Sequence, residues 1–366
     1  MQTLVVAWVI SLVVVMLLIR YKHWHGHLSE DSLLGAQKFH QGSVPRIGGI
    51  GIIAGLAFAL GWSVWRGLVG IEAMSLLLAA LPAFGAGLAE DLTKRVGVTA
   101  RLLGTMLSAS LGIWLLGALL PRLGIFGIDA VLASSPMLAR GVTLLAVSGV
   151  ANAVNIIDGF NGLAAATAML MFLAFGYVAW ALGDVFLVQL CLAMIGALAG
   201  FFVWNYPRGL IFLGDGGAYL VGFVLAEVAV LLVVRHPNLS PWFCFLVCAY
   251  PITETLFSIY RKRFLRGMSP GVPDALHLHM LVYRRLVRWA AGKSALNGMT
   301  ARNSATSPYL WGMASLSILP AVLFWRDENY LLGSVVGFVL LYVWLYARLV
   351  RFRTPSWLRR RVGNKT

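Results

Sequence analysis

The sequence is short of charge. Asp, Glu, Lys and Arg make up 12% of its 366 residues, about half of what a soluble domain of this length carries, so an ordinary water-soluble globule is excluded. It is shorter still of acid, with 14 Asp and Glu against 29 Lys and Arg and a formal net charge of +15. Cysteine is scarce too. Cys191, Cys244 and Cys248 lie in apolar runs with no His or carboxylate beside them, and read as small buried hydrophobes rather than metal ligands. There is no evident repeat, no low-complexity stretch and no loop long enough to form a separate soluble domain. Neither the phosphate-binding pattern GxxxxGK[ST] nor a kinase signature occurs, which leaves ATP without an evident binding site.

What the chain has is apolar surface. It is 60% hydrophobic, with 39 Gly and 13 Trp and a mean hydropathy of +0.82. Gly permits close helix packing in a bilayer and Trp favours its interface. A spanning helix needs about 20 largely apolar residues, and eleven stretches qualify: about 3–19, 47–65, 71–89, 102–120, 138–154, 162–182, 185–203, 217–234, 241–260, 308–325 and 331–349. The first has no basic n-region and no small-residue cleavage site before Lys22 and reads as a span, not a signal peptide. The fold class is therefore an all-α polytopic membrane protein, with residues 1–366 forming one integral-membrane domain.

The basic residues set its orientation. Loops 20–46, 90–101, 155–161, 204–216 and 261–307 and the tail 348–366 hold 24 Lys and Arg, and the alternate loops hold 5. By the positive-inside rule the first set is cytoplasmic, the N-terminus periplasmic and the C-terminus cytoplasmic. The charge is thereby accounted for by an anionic leaflet, without nucleic acid.

Those same loops hold the reactive side chains. Glu90 and Asp91 are adjacent carboxylates at a helix end, with Lys94 three residues on. Asn152, Asn155 and Asp158 recur at i, i+3 and i+6, one polar strip if helical, and Asn161 follows. Asp215 lies between glycines in Phe212-Leu213-Gly214-Asp215-Gly216-Gly217, at the start of a span. His277 and His279 precede Arg284 and Arg285, and His40 to Gly49 reads HQGSVPRIGG. Each element has a plain structural reading: a solvated helix cap at Glu90–Asp91, an N-cap at Asp215, interfacial histidines at His277 and His279. Glu227 and Glu254 fall inside spans; the first reads as a partner for another helix and the second as able to face a groove. In combination the set suits phosphoryl transfer. A few hard carboxylates suit Mg²⁺ bound largely through substrate phosphates, basic side chains suit phosphate oxygens, and glycine turns at helix starts present N–H groups to anions.

Four segments, HQGSVPRIGG at 40–49, AEDLTK at 89–94, NAVNIIDGFNGLA at 152–164 and FLGDGGAYLVG at 212–222, resemble the polyprenyl-phosphate N-acetylhexosamine-1-phosphate transferases, the MraY/WecA superfamily or glycosyltransferase family 4. The resemblance spans about residues 38–285, and eleven spans fit its WecA-like branch better than its ten-span branch. It implies a bacterial inner-membrane enzyme with a cytoplasmic active site and Mg²⁺ as cofactor, Mn²⁺ being a substitute. It implies transfer of an N-acetylhexosamine-1-phosphate, by default that of N-acetylglucosamine, from a UDP-sugar to undecaprenyl phosphate with release of UMP, the initiating step of an envelope polysaccharide. Carried over residue by residue, it puts Asp91, Glu90, Lys94, Asp215, His277 and His279 in catalysis, Asp215 and Asp91 at the metal, and Asn155, Asp158 and Asn161 at the nucleotide-sugar. Three positions depart from the pattern: Glu90 replaces an Asp, Asn161 replaces an Asp, and the histidine motif is the short His277-Leu278-His279. A homodimer is left open. Two other readings are a secondary transporter, which should show repeats and mid-membrane polar residues, and a non-catalytic scaffold, which would not need Asp91, Asp158 and Asp215 together.

Overall fold

The computed structural model describes residues 1–29, 43–269, 276–287 and 298–351. His40, Gln41 and Gly42 of the HQGSVPRIGG segment, parts of loops 20–46 and 261–307, and the basic tail beyond Arg351 lie outside the described residues. Among the described residues the regular structure is helical throughout: α1 (Gln2–Arg20), α2 (Lys22–Ser29), α3 (Gly49–Trp65), α4 (Glu72–Thr93), α5 (Val98–Leu116) and α6 (Ile128–Ser134). There follow α7 (Pro136–Ile157), α8 (Leu163–Ala181), α9 (Val185–Asn205), α10 (Gly214–Arg235), α11 (Pro241–Val247) and α12 (Ala249–Tyr260), which widens into a π turn over Arg261–Leu265. The chain closes with α13 (Leu278–Val282), α14 (Met299–Ser304), α15 (Ser307–Leu323) and α16 (Glu328–Val350).

Each of the eleven apolar stretches falls on helix. Among the described residues eight helices, α1, α4, α5, α7, α8, α9, α10 and α16, are long and apolar enough to cross a membrane, and α11 with α12 makes a ninth if the bent pair is one span. Helices α3 and α15 have 17 residues each, about 26 Å at 1.5 Å per residue against a hydrocarbon core of about 30 Å. The stretch at 241–260 is not one straight rod, since its halves meet at 76°. Pro251 explains the break. It has no N–H for the carbonyl of Val247, four residues earlier, and α11 ends at Val247.

Helix α10 is the axis of the molecule. Almost every residue from Gly214 to Val233 is buried, and it packs against α3, α4, α5 and α7. Small residues allow this. A Cβ on Gly222 would lie 2.6 Å from Ala151 Cα, and one on Gly49 would lie 2.4 Å from the Gly217 nitrogen. With little hydrophobic drive between helices in lipid, such close backbone approach supplies the van der Waals contact. Helix α1 lies against α3 and α9 and exposes Val5, Val9, Val13 and Leu17, a side suited to lipid.

Candidate active site

The N-terminal end of α10 is where the sequence motifs meet. Gly214 sits at φ +75°, and a Cβ there would lie 1.9 Å from the Arg46 carbonyl oxygen and 2.5 Å from Asp91 Oδ2; only glycine fits. The first N–H groups of a helix have no partner within it, and here the end of α4 supplies one. Asp215 N–H donates to Asp91 Oδ1 at 3.0 Å and Gly216 N–H to Asp91 Oδ2 at 2.9 Å. Asp91 is 1% exposed. It caps α10 with both oxygens and fixes where the Asp215 side chain starts.

A second backbone contact brings in Arg46. Phe212 N–H donates to the Pro45 carbonyl at 2.8 Å, while Gly48 and Gly49 N–H donate to Phe212 and Leu213 at 2.9 and 3.0 Å. Between these bonds Arg46 turns inward, with Nη2 3.4 Å from Asp215 Oδ1 and Nε 3.8 Å from Asp91 Oδ1. From α5, Arg101 Nη1 donates to Asp215 Oδ2, and from α7, Asn155 Nδ2 donates to Asp215 Oδ1 at 3.0 Å. The buried Nε of Arg101 has no partner among the described residues, and its guanidinium carbon is 6.0 Å from the Tyr219 ring centre. Tyr219 OH donates to Asn152 Oδ1 at 3.4 Å. The Asn152–Asn155 strip thus faces α10.

Asp158 ends α7. Burial pushes its carboxyl up to about 7, with the Asp91 charge adding to the shift and Arg46 opposing it. Asn161 faces elsewhere. It is 3% exposed, its Nδ2 donates to the Pro207 carbonyl and to Ser304 Oγ, both at 3.2 Å, and its N–H donates to Asn303 Oδ1 at 2.8 Å. In this arrangement it ties the 158–162 turn to the Pro207 loop and to α14. Glu90 Oε2 accepts from Val96 N–H at 2.7 Å and so shapes the α4–α5 loop. Lys94 adopts a left-handed conformation, φ 55°, at the end of α4, and its Nζ donates to the Asp91 carbonyl.

The histidines come from a separate arm. His277 precedes α13, with its Nδ1 2.8 Å from Glu254 Oε1, and its ring stacks on His279 with centres 5.3 Å apart and planes 3° apart. His279 lies edge-on to Phe160 at 5.6 Å, and a Cβ on Gly159 would meet its Nε2 at 2.8 Å. The arm therefore rests on the turn that follows Asp158. Burial pushes the His279 imidazole down to about 3, reinforced by His277 and opposed by Glu254, which disfavours its cationic form.

The donor set has a definite chemical sense. Among the described residues no group of three or more His, Cys, Asp or Glu could hold a metal, so those residues offer no closed cage. Asp215 is the carboxylate here whose oxygens meet side chains rather than backbone N–H groups, and Mg²⁺, which keeps water and phosphate as most of its ligands, needs few such carboxylates. The guanidiniums suit phosphate oxygens.

Several of these residues have weak sequence signals. Arg101 is an isolated charge one turn into an apolar helix, which is a signal of a kind. Tyr219 has none, because a single polar residue in an apolar run is common. Glu254 is fully buried against His277 rather than facing a groove. Glu227 lies against Gly112 of α5 and has no hydrogen-bond partner among the described residues.

Residues 73–233 match the family described as glycosyl transferase family 4. The chain is 28% identical over 352 residues to undecaprenyl-phosphate alpha-N-acetylglucosaminyl 1-phosphate transferase of Escherichia coli strain K12, covering 89% of this chain and 88% of that protein. It is also 28% identical over 354 residues to the protein of the same name from Yersinia pestis, covering 90% and 88%. A probable undecaprenyl-phosphate N-acetylglucosaminyl 1-phosphate transferase of Bacillus subtilis is 31% identical over 143 residues, covering 39% of this chain and 40% of that one.

Proposed function

From the match of residues 73–233 to glycosyl transferase family 4 and the 28% identity to the Escherichia coli transferase over 89% of the chain, we propose that the chain is a polyprenyl-phosphate N-acetylhexosamine-1-phosphate transferase and that it transfers N-acetylglucosamine-1-phosphate from UDP-N-acetylglucosamine to undecaprenyl phosphate. The observation that carries this reading is the meeting of Arg46, Asp91, Arg101, Asn155 and Asp215 at one end of α10. We place the chain in the bacterial inner membrane with eleven spans, its N-terminus outside and this end of α10 in the cytoplasm. The loop charge supports that orientation, which lets a soluble nucleotide-sugar meet a membrane-held acceptor.

The second ionisation of a phosphate monoester has a pKa of about 6, so the lipid phosphate is mostly dianionic at neutral pH. It is already a nucleophile and needs no covalent intermediate on the protein. One of its oxygens forms a bond to the β-phosphorus of the UDP-sugar as the bond from that phosphorus to the bridging oxygen breaks. UMP leaves with the bridging oxygen and its electron pair.

In this scheme Arg46 and Arg101 hold phosphate oxygens and offset the charge brought together there. Asp215, with Asp91 beside it, would hold Mg²⁺, which when bound would neutralise charge on the diphosphate. Asp91 acts chiefly by fixing the start of α10. Asn155 and Asp158 orient the nucleotide end of the donor. Lys94 and His277 contribute from the rim, and His279 holds the arm against Phe160.

Incubating the purified protein with undecaprenyl phosphate, Mg²⁺ and a panel of UDP-sugars, and following UMP release, tests both the reaction and the sugar. The greatest turnover is expected with UDP-N-acetylglucosamine. Exchange of labelled UMP into UDP-sugar without lipid acceptor would instead favour a two-step route through a phosphosugar on Asp91.

A further inference from the structure

The histidine arm is held from below by a carboxylate that the proposed chemistry leaves unused. Glu254, on α12 just after the Pro251 bend, is 0% exposed. Three groups converge on it. His277 Nδ1 lies 2.8 Å from Oε1, Tyr342 OH donates to Oε2 at 2.9 Å, and Leu278 N–H donates to both oxygens at 3.2 Å. The Tyr342 and Leu278 groups are donors here, which fits an acceptor-only carboxylate, and such a carboxylate needs the third proton to sit on His277 Nδ1.

The support extends to the last span. Arg261 Nη1 donates to the Leu276 carbonyl at 2.9 Å and to Tyr346 OH at 2.8 Å, and Tyr346 OH donates to the same carbonyl at 3.0 Å. The residue before His277 is therefore pinned from α12 and α16 together. On its other side the His277 ring lies flat on His279, which rests against Phe160. The imidazole is held on its edge, on its face and by its backbone.

We propose that Glu254 is a positioning residue for His277: it keeps the proton on Nδ1 and so makes Nε2 the atom that acts at the phosphates. The mechanical part of this role is shared with Tyr342, Tyr346 and Arg261, which join α16 to the arm. A wrong tautomer in a correct fold is a known way to lose activity. The catalytic consequence rests on the transferase reading, whereas the tautomer does not.

The test is long-range ¹H–¹⁵N spectroscopy of ¹⁵N-histidine-labelled protein in lipid nanodiscs, with the His277 signal identified by its loss in His277→Gln. At pH 8 the wild type should show a protonated Nδ1 and a lone-pair Nε2 at His277. Glu254→Gln should abolish that single tautomer and lower kcat roughly 10- to 100-fold, with KM for the UDP-sugar within about twofold. Tyr342→Phe should keep the tautomer and lower kcat less, about threefold. Glu254→Asp, which keeps the charge, should recover part of the loss and covers the case in which Glu254→Gln fails to fold. A wild-type His277 protonated at Nε2 overturns the proposal even if the protein has no transferase activity. So does a Glu254→Gln protein with unchanged tautomer and unchanged kcat.

Discussion

Helix α10 carries a charged cluster at each end, and the two clusters are built on different principles. At its C-terminal end Arg235 donates to Glu72 at 2.6 Å and lies 3.4 Å from Asp184, which also meets His236 at 3.2 Å. The Arg235 guanidinium covers the Phe186 ring at 4.9 Å. There the one guanidinium is met by two carboxylates. At the N-terminal end Asp91 gives its oxygens to backbone N–H groups, so Arg46 and Arg101 converge on Asp215, and Arg101 Nε is left without a partner among the described residues. The first cluster closes on itself and ties α4, α9 and α10 together. The second sets two guanidiniums on the one Asp215 carboxylate, which suits an anion. A charged group near a membrane is not by itself a site; what separates the two ends is the ratio of guanidiniums to carboxylates.

The difference can be tested from either end. Asp215→Ala should have the largest effect, lowering transfer by about a thousandfold or more in UMP-release assays, with thermal stability in detergent nearly unchanged. Arg101→Ala should cost roughly a hundredfold in kcat/KM, with Arg101→Lys recovering part, since a lysine restores charge but not the fork. Asp158 should give a pH effect. A carboxyl raised to about 7 is anionic above that pH and neutral below it, so an interaction needing the anion is present at pH 8 and mostly lost at pH 6. KM for the UDP-sugar should therefore rise by roughly tenfold over that fall in pH, and Asp158→Asn should flatten the dependence. Arg235→Ala should have the smallest effect on turnover. It should lower stability by about 1 kcal/mol, seen as a lower Tm, because the pair is partly exposed, and leave the folded protein as active as the wild type. Inactivity in a fully folded Arg235→Ala protein would erase the distinction between the two ends.

The apolar runs were legible because a bilayer demands them, and each recurs as helix, with eight helices among the described residues, or nine counting the bent pair, long and apolar enough to cross a membrane. The bend at Pro251 was less legible, since a proline in an apolar run shows that one hydrogen bond is missing but not how far the helix turns. In the site, the carboxylates at Asp91 and Asp215 stood out as charges at span ends. Their division of labour did not, because only the fold shows that Asp91 points at the backbone of residues 215 and 216. Asn161 stood out for its place in a polar motif, and the structure turns its amide to Pro207 and Ser304 instead. Arg101 and Glu254 are single charges within apolar helices, whose partners lie 114 and 23 residues away in the chain. No local pattern encodes such pairs.

The most direct test of the central claim compares wild type with Asp215→Asn, both purified in folded form, for UMP released from UDP-N-acetylglucosamine in the presence of undecaprenyl phosphate and Mg²⁺. The account predicts that the wild type releases one UMP for each lipid-linked sugar formed and that the variant releases essentially none. Equal release from both proteins, or none from the wild type with any UDP-sugar, would contradict it.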